Sequence, residues 1–434
     1  MMLRKTLLFV FILTLVSSCN PTKRLAEGEV FLKKQNIQFE SKQPDEVSSE
    51  DLNDVLKQKT NRKILLFRFH LWVHNRINPV RQTKARLKRK YRVEKKIQKK
   101  LRKGKELNYK ELKEMRSDTV TWRDWMSETV GEAPVALDSS LMKKSGEQMR
   151  VYLAKHGYFD AAVTPVVDTT RNGKKATVTY NVKPNEPYVI ASINYKYNDS
   201  LLGKRNNLIT KQSTLQEGQV FDIDRLDDER ERIEKLLLNK GYYSFSKDYV
   251  KYVADSTIGN HQVDVDMIVA PYGLIQLEND STEIVHHKKY FIGELVYHTD
   301  YRPSSLSYSA EDSLKESGAT FLFQEHLDIK PDLLLFLTTF SPGDIYMKER
   351  IAETYRRLSQ LSMFRSVNIQ MKERKVGEQY VLDCHIYLTP EEKYATSVET
   401  GVTHRDGLFG LSGSLIFRDR NVFQRSENGE FRIA

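Results

Sequence analysis

The chain has 434 residues, of which 39% are hydrophobic and 29% charged, and its mean hydropathy is −0.56. This composition allows two to four domain cores but excludes a polytopic helical membrane protein and wholesale disorder. Two cysteines exclude a disulfide framework. The net charge of +11 is local, because residues 81–116 hold 17 Lys or Arg against 4 Asp or Glu. The basicity therefore belongs to one segment.

The N-terminus has the pattern of an export signal. Arg4 and Lys5 precede an apolar run from Leu7 to Val16, which is too short to span a bilayer and is typical of a secretory signal peptide covering residues 1–18. The small residues before Cys19 resemble a bacterial lipobox, which implies that Cys19 is the first mature residue and carries diacylglycerol. The alternative is an ordinary signal peptide with an incidental cysteine. Cys384 lies in an alternating segment and is expected to be a small core side chain.

A unit recurs three times along the chain. It consists of a predicted helix that ends in glycine and two aromatic residues, followed by two predicted strands. Its helix ends are Gly157-Tyr158-Phe159, Gly241-Tyr242-Tyr243 and Met363-Phe364, where the glycine is replaced. Glycine suits a helix C-terminus because it adopts positive φ without a Cβ clash. The aromatic residues Tyr158, Phe159, Tyr242 and Tyr243 are expected to be core plugs rather than ligand contacts.

Each unit also has a matching turn and an added first strand. The turns are Gly131-Glu132-Ala133-Pro134-Val135, Gly218-Gln219-Val220-Phe221 and Gly343-Asp344-Ile345-Tyr346. The order β-α-α-β-β predicts an α+β fold of three tandem modules, each with helices on one face of a three-stranded sheet. The predicted modules are 24–183, with an insertion at 62–126, 188–270 and 288–390.

The C-terminal segment 394–434 predicts strands of a different kind. Leu411, Gly413, Leu415 and Phe417 alternate with Ser412, Ser414, Ile416 and Arg418. This apolar-out, polar-in pattern is typical of transmembrane β-strands. Two strands cannot close a barrel, so we expect the sequence to be a truncated part of a longer protein.

These features together resemble the BamA/TamA family, in which POTRA domains precede an outer-membrane β-barrel. The lipobox-like cysteine makes the chain similar to the lipoprotein variant of TamA (TamL). The resemblance implies a non-enzymatic factor of the Gram-negative outer membrane with its modules in the periplasm. It also implies unfolded outer-membrane proteins as clients, a TamB-like partner linked to the inner membrane, and no cofactor.

The same resemblance implies where clients bind. An unfolded chain adds as an extra strand to a free sheet edge through backbone hydrogen bonds. The implied edges are the second strands of the modules, and Pro165 removes a donor from the first, which favours the other two. The edges are expected at Ala161–Asp168, Tyr242–Ala254 and Phe364–Lys372, with Tyr242, Tyr243, Phe245, Phe364, Val367 and Ile369 as client-edge residues. The implied barrel gate strand carries Ser397, Glu399, Gly401 and Thr403.

The basic insertion leaves two interpretations open. Residues 84–105 carry Leu87, Val93, Ile97 and Leu101 near a helical period, which predicts a cationic amphipathic helix. Such a helix lies on an anionic membrane or contacts a partner. Alternatively, it is a solvated helix whose apolar stripe packs on its own domain. Nucleic acid is excluded as a partner for an exported chain. The candidate contact residues are Trp72, Lys88, Arg89, Lys95 and Lys99.

The sequence contains no catalytic or metal-binding signature. HExxH, GxSxG, P-loop, GxGxxG and CxxC patterns are all absent from it. His286-His287 is expected to be loop surface rather than a metal site. Two rival functions remain: a secretion pore for one dedicated substrate, and a periplasmic binding or hydrolytic lipoprotein.

Overall fold

The computed structural model describes residues 20–64, 67–77, 79–103, 125–204, 206–276, 282–302, 312–324, 326–405 and 408–433. They form two compact units, one ending at Val189 but including residues 220–222, and the other holding residues 190–219 and the chain from Ile223. Cys19 and the predicted signal peptide lie outside the described residues. Among the described helices, none has both the length and the apolar character needed to cross a bilayer.

Nine α-helices are described, and they alternate with groups of strands. They are α1 (Ser49–Asp54), α2 (Phe69–Arg76), α3 (Pro79–Leu101), α4 (Ser139–Lys155), α5 (Ser200–Gly203), α6 (Asn206–Thr210), α7 (Ile223–Leu238), α8 (Pro331–Leu337) and α9 (Lys348–Ser359).

Sheets 1 and 2 have the same three-stranded topology, in which the last strand along the chain is central. The first strand is a neighbour of the last strand in both sheets, and in sheet 1 the two are parallel. The second strand of each sheet pairs antiparallel with the last strand, which is central. Their strands are β1 (Phe31–Phe39), β2 (Ala162–Thr169) and β3 (Lys175–Lys183) in the order β1-β3-β2, and β4 (Val189–Tyr197), β5 (Val250–Asp255) and β6 (Gln262–Val269) in the order β4-β6-β5.

The central strands alternate strictly because one face of each sheet packs against helices. In β3, Ala176, Val178, Tyr180 and Val182 are buried. Helix α4 contributes the facing residues, and Asp138 caps its N-terminus by accepting hydrogen bonds from the backbone N–H groups of Ser140 and Leu141. The core of the first unit includes Met149 and Leu153 of α4 together with Leu52 of α1.

Sheet 3 has five strands, so the expectation of three strands in every module was wrong here. The hairpin formed by β10 and β11 adds to β9 through a parallel pairing of Phe321 with Tyr297. A local sequence pattern could not predict this pairing, because β9 and β11 are separated along the chain. The strands are β9 (Tyr290–His298), β10 (Asp312–Glu316), β11 (Ala319–Phe323), β12 (Phe364–Val376) and β13 (Gln379–Pro390), in the order β10-β11-β9-β13-β12.

Cys384 lies in the core of sheet 3, as predicted. Its side chain is fully buried among Leu295, Ile386 and other apolar residues. Burial raises the pKa of the Cys384 thiol to about 12, so the group is an inert apolar side chain rather than a nucleophile.

Two smaller sheets complete the described structure. Strands β7 (Gly273–Gln276) and β8 (Thr282–Val285) form a two-stranded sheet between sheets 2 and 3 along the chain. Sheet 4 is an antiparallel meander of three strands, β14 (Tyr394–Arg405), β15 (Leu408–Asp419) and β16 (Gly429–Ile433).

Candidate functional site

The recurring turns cover one edge of each of the first three sheets. In sheet 2, Ile190 N–H donates to the Gln219 carbonyl at 2.9 Å, and Gly218 N–H donates back to the Ile190 carbonyl at 2.7 Å. In sheet 3, Ile292 exchanges the same pair of bonds with Asp344 and Gly343. The equivalent contacts in sheet 1 are Leu32 N–H to Val135 O and Leu137 N–H to Val30 O. The strand that begins each unit (β1, β4 or β9) is thereby partly paired. The strand that follows the main helix (β2, β5 or β12) is an edge strand in each sheet, and sheet 3 has a further edge at β10.

The direction of the backbone groups on β2 follows from one neighbouring hydrogen bond. Glu40 N–H donates to the Val182 carbonyl, so the backbone groups of Val182 point toward β1. Val163 lies opposite Val182, and the pair is therefore not hydrogen-bonded. Val163, Pro165 and Val167 consequently direct their backbone groups out of the sheet. Pro165 thus removes a donor from the open edge and leaves the internal ladder intact.

The open edge of sheet 2 is shorter than the sequence indicated. Strand β5 begins at Val250, so Tyr242, Tyr243 and Phe245 do not lie on an edge strand and their assignment there was wrong. The chain turns at Gly241, and Tyr242 and Phe245 are buried in the core of sheet 2. The Ala270 N–H donates to the Tyr249 carbonyl, so the backbone groups of Val250, Tyr252 and Ala254 point outward.

Sheet 3 has the longest open edge. Strand β12 has 13 residues, compared with 8 in β2 and 6 in β5. The Tyr301 N–H donates to the Leu388 carbonyl, and Val367 lies opposite Leu388. Val367 and Ile369 therefore point their backbone groups toward the open edge, while their side chains, like that of Phe364, pack into or against the core. The backbone of these residues, not their side chains, is available for pairing.

The Gly-aromatic-aromatic segments contact residues further along the chain as well as the core. We call the contacts of residues 157–159 the first joint and those of residues 241–243 the second joint. Tyr188 N–H donates to the Gly157 carbonyl at 2.8 Å, and Tyr290 N–H donates to the Gly241 carbonyl at the same distance. In the second joint the first aromatic residue, Tyr242, is buried in its own core, whereas Tyr243 packs on Tyr290 and Tyr346 with ring centroids 5.7 and 5.1 Å away.

The first joint has the same division of roles. Tyr158 is buried in the core of sheet 1, and the ring of Phe159 packs on Tyr188 and Phe221 at 4.9 and 5.4 Å. The interpretation of these aromatic residues as core plugs therefore holds for Tyr158 and Tyr242. Phe159 instead packs on Tyr188 and Phe221, and Tyr243 packs on Tyr290 and Tyr346. The pairing of this motif with the Gly-x-[VI]-[FY] turn was the signal for the joint.

We expect Gly241→Ala to destabilise the second joint more than a positive φ alone explains. Gly241 has φ +97°, and an added Cβ would lie 2.9 Å from both Ile345 Cγ2 and Lys289 Cγ. Gly259→Ala is the matched control, because Gly259 has φ +88° but no atom within 4 Å of that position. Both variants lose about 1 kcal/mol from backbone strain, and Gly241→Ala loses roughly 1–2 kcal/mol more. Chemical denaturation measures both values, and equal losses would contradict the close approach.

A buried carboxylate ties the segment before β9 to helix α5. Asp199 caps α5 by accepting hydrogen bonds from Leu201 and Leu202 N–H, and it also accepts from the backbone N–H and Nδ1 of His287 at 2.8 and 2.9 Å. Burial raises the pKa of Asp199, but these hydrogen bonds outweigh it and hold the pKa below its ordinary value. Burial lowers the pKa of His287. His287 is fully buried, so its assignment to the loop surface was wrong.

Two histidines stack across β9 and β13. His298 Nε2 lies 3.2 Å from His385 Nδ1, and the His298 ring stacks on Tyr387 at 4.2 Å. Burial lowers the pKa of His298 to about 4, and the positive charges of His385 and Lys372 add to the effect. The folded protein therefore holds His298 neutral.

Acid should weaken sheet 3 through His298. Its folded pKa lies below its ordinary value, so the unfolded chain binds more protons as the pH falls from about 6.5 toward 4. We expect the free energy of unfolding to fall by roughly 1–2 kcal/mol between pH 7 and pH 5. Hydrogen exchange of peptides from β9 and β13 measures this loss. In His298→Gln the pH dependence should shrink, and an unchanged dependence would contradict the assignment.

Sheet 4 exposes a continuous apolar face. Val398 and Val402 are each 71% exposed, and Leu411, which lies opposite Val402, is 88% exposed. Leu415, Phe417, Phe431 and Ile433 continue the same face across β15 and β16. An exposed apolar face of this extent is rare on a soluble domain and is typical of a surface that meets lipid or another protein.

The predicted gate residues share the opposite face of β14, which is an edge strand. Ser397, Glu399, Gly401 and Thr403 lie opposite Ile416, Ser414, Ser412 and Gly410. Ser412 Oγ donates to the Gly401 carbonyl at 3.3 Å, and a Cβ at Gly401 would lie 2.8 Å from that hydroxyl. Glycine therefore leaves room for a cross-strand serine.

The loop between β15 and β16 is fastened to the elements around sheet 3. Asn421 is buried and donates from Nδ2 to the Asp328 carbonyl at 2.6 Å, and Lys330 N–H donates to the Gln424 carbonyl at 3.0 Å. Arg425 forms an ion pair with Asp332 of α8 at 2.8 Å. Residues 421–425 thus hold sheet 4 to the segment around α8.

The candidate residues of the basic insertion fall on two helices. Lys88, Arg89, Lys95 and Lys99 are exposed on α3. Trp72 is half-buried on α2, where it stacks on Phe69 and lies under the Arg76 guanidinium. Trp72 therefore belongs to a local aromatic cluster.

Within the first unit, His156 Nδ1 lies 3.2 Å from Asp222 Oδ2, a pairing that the sequence patterns did not predict.

A protein-family model matches the two segments that share this topology. It is POTRA, described as a surface antigen variable number repeat, and it matches residues 129–185 and 188–271. The chain contains POTRA-like modules. The first match covers the part of the first module that follows the insertion. No curated protein matches the chain significantly.

Several solved structures are similar at low identity. BamA POTRA3-5 of Haemophilus influenzae is 13% identical with a TM-score of 0.33, covering 84% of this chain and 99% of that chain. BamA of Haemophilus ducreyi lacking POTRA domains 1–3 is 14% identical with a TM-score of 0.36, covering 56% of this chain and 37% of that one. CdiB of Acinetobacter baumannii is 12% identical with a TM-score of 0.25, covering 57% and 38%. The POTRA assignment rests on the family model.

Proposed function

We propose that this chain is a non-enzymatic assembly factor of the outer membrane, of the BamA/TamA class, whose POTRA-like modules bind unfolded client proteins by strand addition. The observation that carries the proposal is the recurrence of an open edge at the second strand of the unit in each of three sheets, which precede an apolar-faced sheet. Backbone pairing at such an edge does not depend on the client's sequence, which suits a factor that handles many clients.

In this proposal residues 288–390 form a third POTRA-like module. Support comes from the same turn-to-strand hydrogen bonds as in sheet 2, and from a last strand, β13, that lies between β9 and β12 as β6 lies between β4 and β5. Sheet 3 has two edge strands, β10 and β12. Strand β12 takes the place in sheet 3 that β2 and β5 take in sheets 1 and 2, so it is the proposed client edge. Because β12 offers the longest edge, it is the principal client strand.

Sheet 4 is proposed as the first part of the membrane-embedded β-barrel. Its apolar face then meets lipid, and its polar face, with Ser397, Glu399 and Gly401, lines the interior. Edge strand β14 receives the client from the modules as the gate strand. The loop from Arg420 to Asn428 holds this sheet next to the third module.

Depletion of the protein in its native host tests the proposed function. Broad loss of many barrel proteins from the outer membrane, measured by quantitative proteomics, is the expected result. Loss of a single exported protein would instead identify a secretion pore for a dedicated substrate. An unchanged outer membrane would contradict both and favour a periplasmic binding or hydrolytic lipoprotein.

The proposal includes a lipid anchor at Cys19 and a TamB-like partner that links the modules to the inner membrane. Both derive from the resemblance to lipoprotein variants of TamA. Several acyl chains on one residue anchor a protein stably. Replacing Cys19 by Ala should abolish metabolic labelling with a palmitate analogue, and labelling that persists in the variant would refute the anchor.

A further inference from the structure

Helix α3 carries a charged surface that lies outside the proposed client edges. Its 23 residues contain 11 Lys or Arg and a single acidic residue, Glu94. Seven of the basic side chains are exposed and have no ion-pair or hydrogen-bond partner among the residues that the structure describes. These are Lys84, Lys88, Arg89, Lys90, Arg92, Lys95 and Lys99.

The same helix exposes an apolar stripe. Leu87, Tyr91 and Leu101 are 62%, 64% and 56% exposed, and at 100° per residue they fall within an arc of about 80°. Ile97, on one side of this arc, is only 6% exposed and supplies the packing contact. The apolar residues of α3 are therefore divided between a buried flank and a stripe that nothing in the described structure covers.

The basic side chains border this stripe on both sides. At the same helical spacing, Lys84, Lys95 and Lys88 lie along one side of it and Lys90 along the other. Thr83, Glu94 and Gln98 lie within the arc and are the polar interruptions of the stripe. Apolar side chains beside a row of cations fit the boundary between acyl chains and anionic headgroups.

We propose that α3 lies on the surface of an anionic phospholipid bilayer, with Leu87, Tyr91 and Leu101 entering the interface and the flanking lysines meeting lipid phosphates. A soluble polyanion would satisfy the charges but leave the three apolar side chains in water. The apolar stripe is therefore the feature that selects a membrane surface as the occupant. This contact is independent of client assembly and persists if the proposed function fails.

Photocrosslinking in the full-length protein tests this contact. A benzoyl-phenylalanine probe replaces Tyr91. The protein is reconstituted in vesicles of phosphatidylcholine alone or of phosphatidylcholine mixed with phosphatidylglycerol, and the phosphatidylglycerol carries a tag by which crosslinked lipid is detected. The reference probe replaces Val151, an exposed residue on α4. We expect Tyr91 probes, but not Val151 probes, to label phosphatidylglycerol, and the labelling to fall in high salt because screening shortens the reach of the charges.

Two matched variants separate this site from general positive charge. Replacing Lys88, Arg89, Lys95 and Lys99 by Gln should reduce labelling at least about tenfold. Replacing Lys143, Lys144, Arg171 and Lys174, which are exposed elsewhere in the first unit, removes the same charge and should leave labelling unchanged.

A third variant tests the apolar stripe. Leu87→Ser with Leu101→Ser should reduce labelling from Tyr91 while keeping every charge. Undiminished labelling in this variant, with displacement by soluble heparin, would mean that α3 binds a soluble polyanion and would overturn the proposal. Equal labelling in the two charge variants would overturn it as well. So would the absence of labelling when the Tyr91 probe is the only change to the protein.

Discussion

Proline at Ile369 should prevent an unfolded outer-membrane protein from crosslinking to β12. The backbone N–H of Ile369 points out of sheet 3, so proline removes a donor that a client strand needs but no bond of the β12–β13 ladder. A photocrosslinkable residue at Gln370, which is exposed on the same strand, reports the contact. We expect about tenfold less crosslinked client, because a lost hydrogen bond and the blocked approach of the neighbouring strand act together.

Ile369→Ala is the matched control for this substitution. It removes the same partly buried side chain but keeps the N–H, so it should crosslink clients as the unmodified protein does. Far-ultraviolet circular dichroism establishes that both variants remain folded. If the proline and alanine variants capture equal amounts of client, clients do not pair with this edge.

An arginine at Leu411 should prevent stable integration into the outer membrane. Leu411 is 88% exposed on the apolar face of sheet 4. A charge on the lipid-facing side of a membrane strand costs about 2–4 kcal/mol near the bilayer centre. We expect most of the Leu411→Arg protein to lose its resistance to added protease in isolated outer membranes, or to be degraded in its native host. This measurement does not depend on the lipid anchor proposed at Cys19.

Ser414→Arg is the companion variant on the opposite face. Ser414 lies opposite Glu399, so an arginine there gains a cross-strand partner, and the variant should retain its resistance to protease. Equal retention of this resistance by both variants would show that the apolar face does not meet lipid.

The recurring local signals of the fold could be predicted from the sequence. The Gly-x-[VI]-[FY] turns, the helix ends and the alternation in strands such as β6 and β15 are patterns within a few residues. Each is set by a local requirement, such as positive φ at Gly241 or one buried face of a sheet. The two faces of β15 also followed from alternation, with Leu411 exposed and Ile416 buried.

Other features depend on contacts between distant parts of the chain. The β10–β11 hairpin pairs with β9 through a parallel contact between β11 and β9, and no local sequence pattern predicts which strand will be a parallel neighbour. Tyr242 and Phe245 have the composition of a strand, but the turn at Gly241 places them in the core. His287 sits in a loop and is buried only because Asp199, 88 residues away, accepts its N–H groups.

The candidate edge could be placed from the sequence only to the level of the strand. The position of β12 at the end of sheet 3 followed from the resemblance to POTRA domains. Which of its residues point outward depended on the Tyr301–Leu388 hydrogen bond. Sequence periodicity could not predict that hydrogen bond. The alternation of side chains shows which face of a sheet a residue lies on, but not which neighbouring strand its backbone N–H and C=O groups point toward.

Complementation after depletion is the most direct test that open sheet edges drive outer-membrane assembly. Cells depleted of the native protein receive either the Ile369→Pro or the Ile369→Ala variant at equal abundance, and the barrel proteins of the outer membrane are quantified. The alanine variant should restore them and the proline variant should not. Full restoration by both variants would contradict the account.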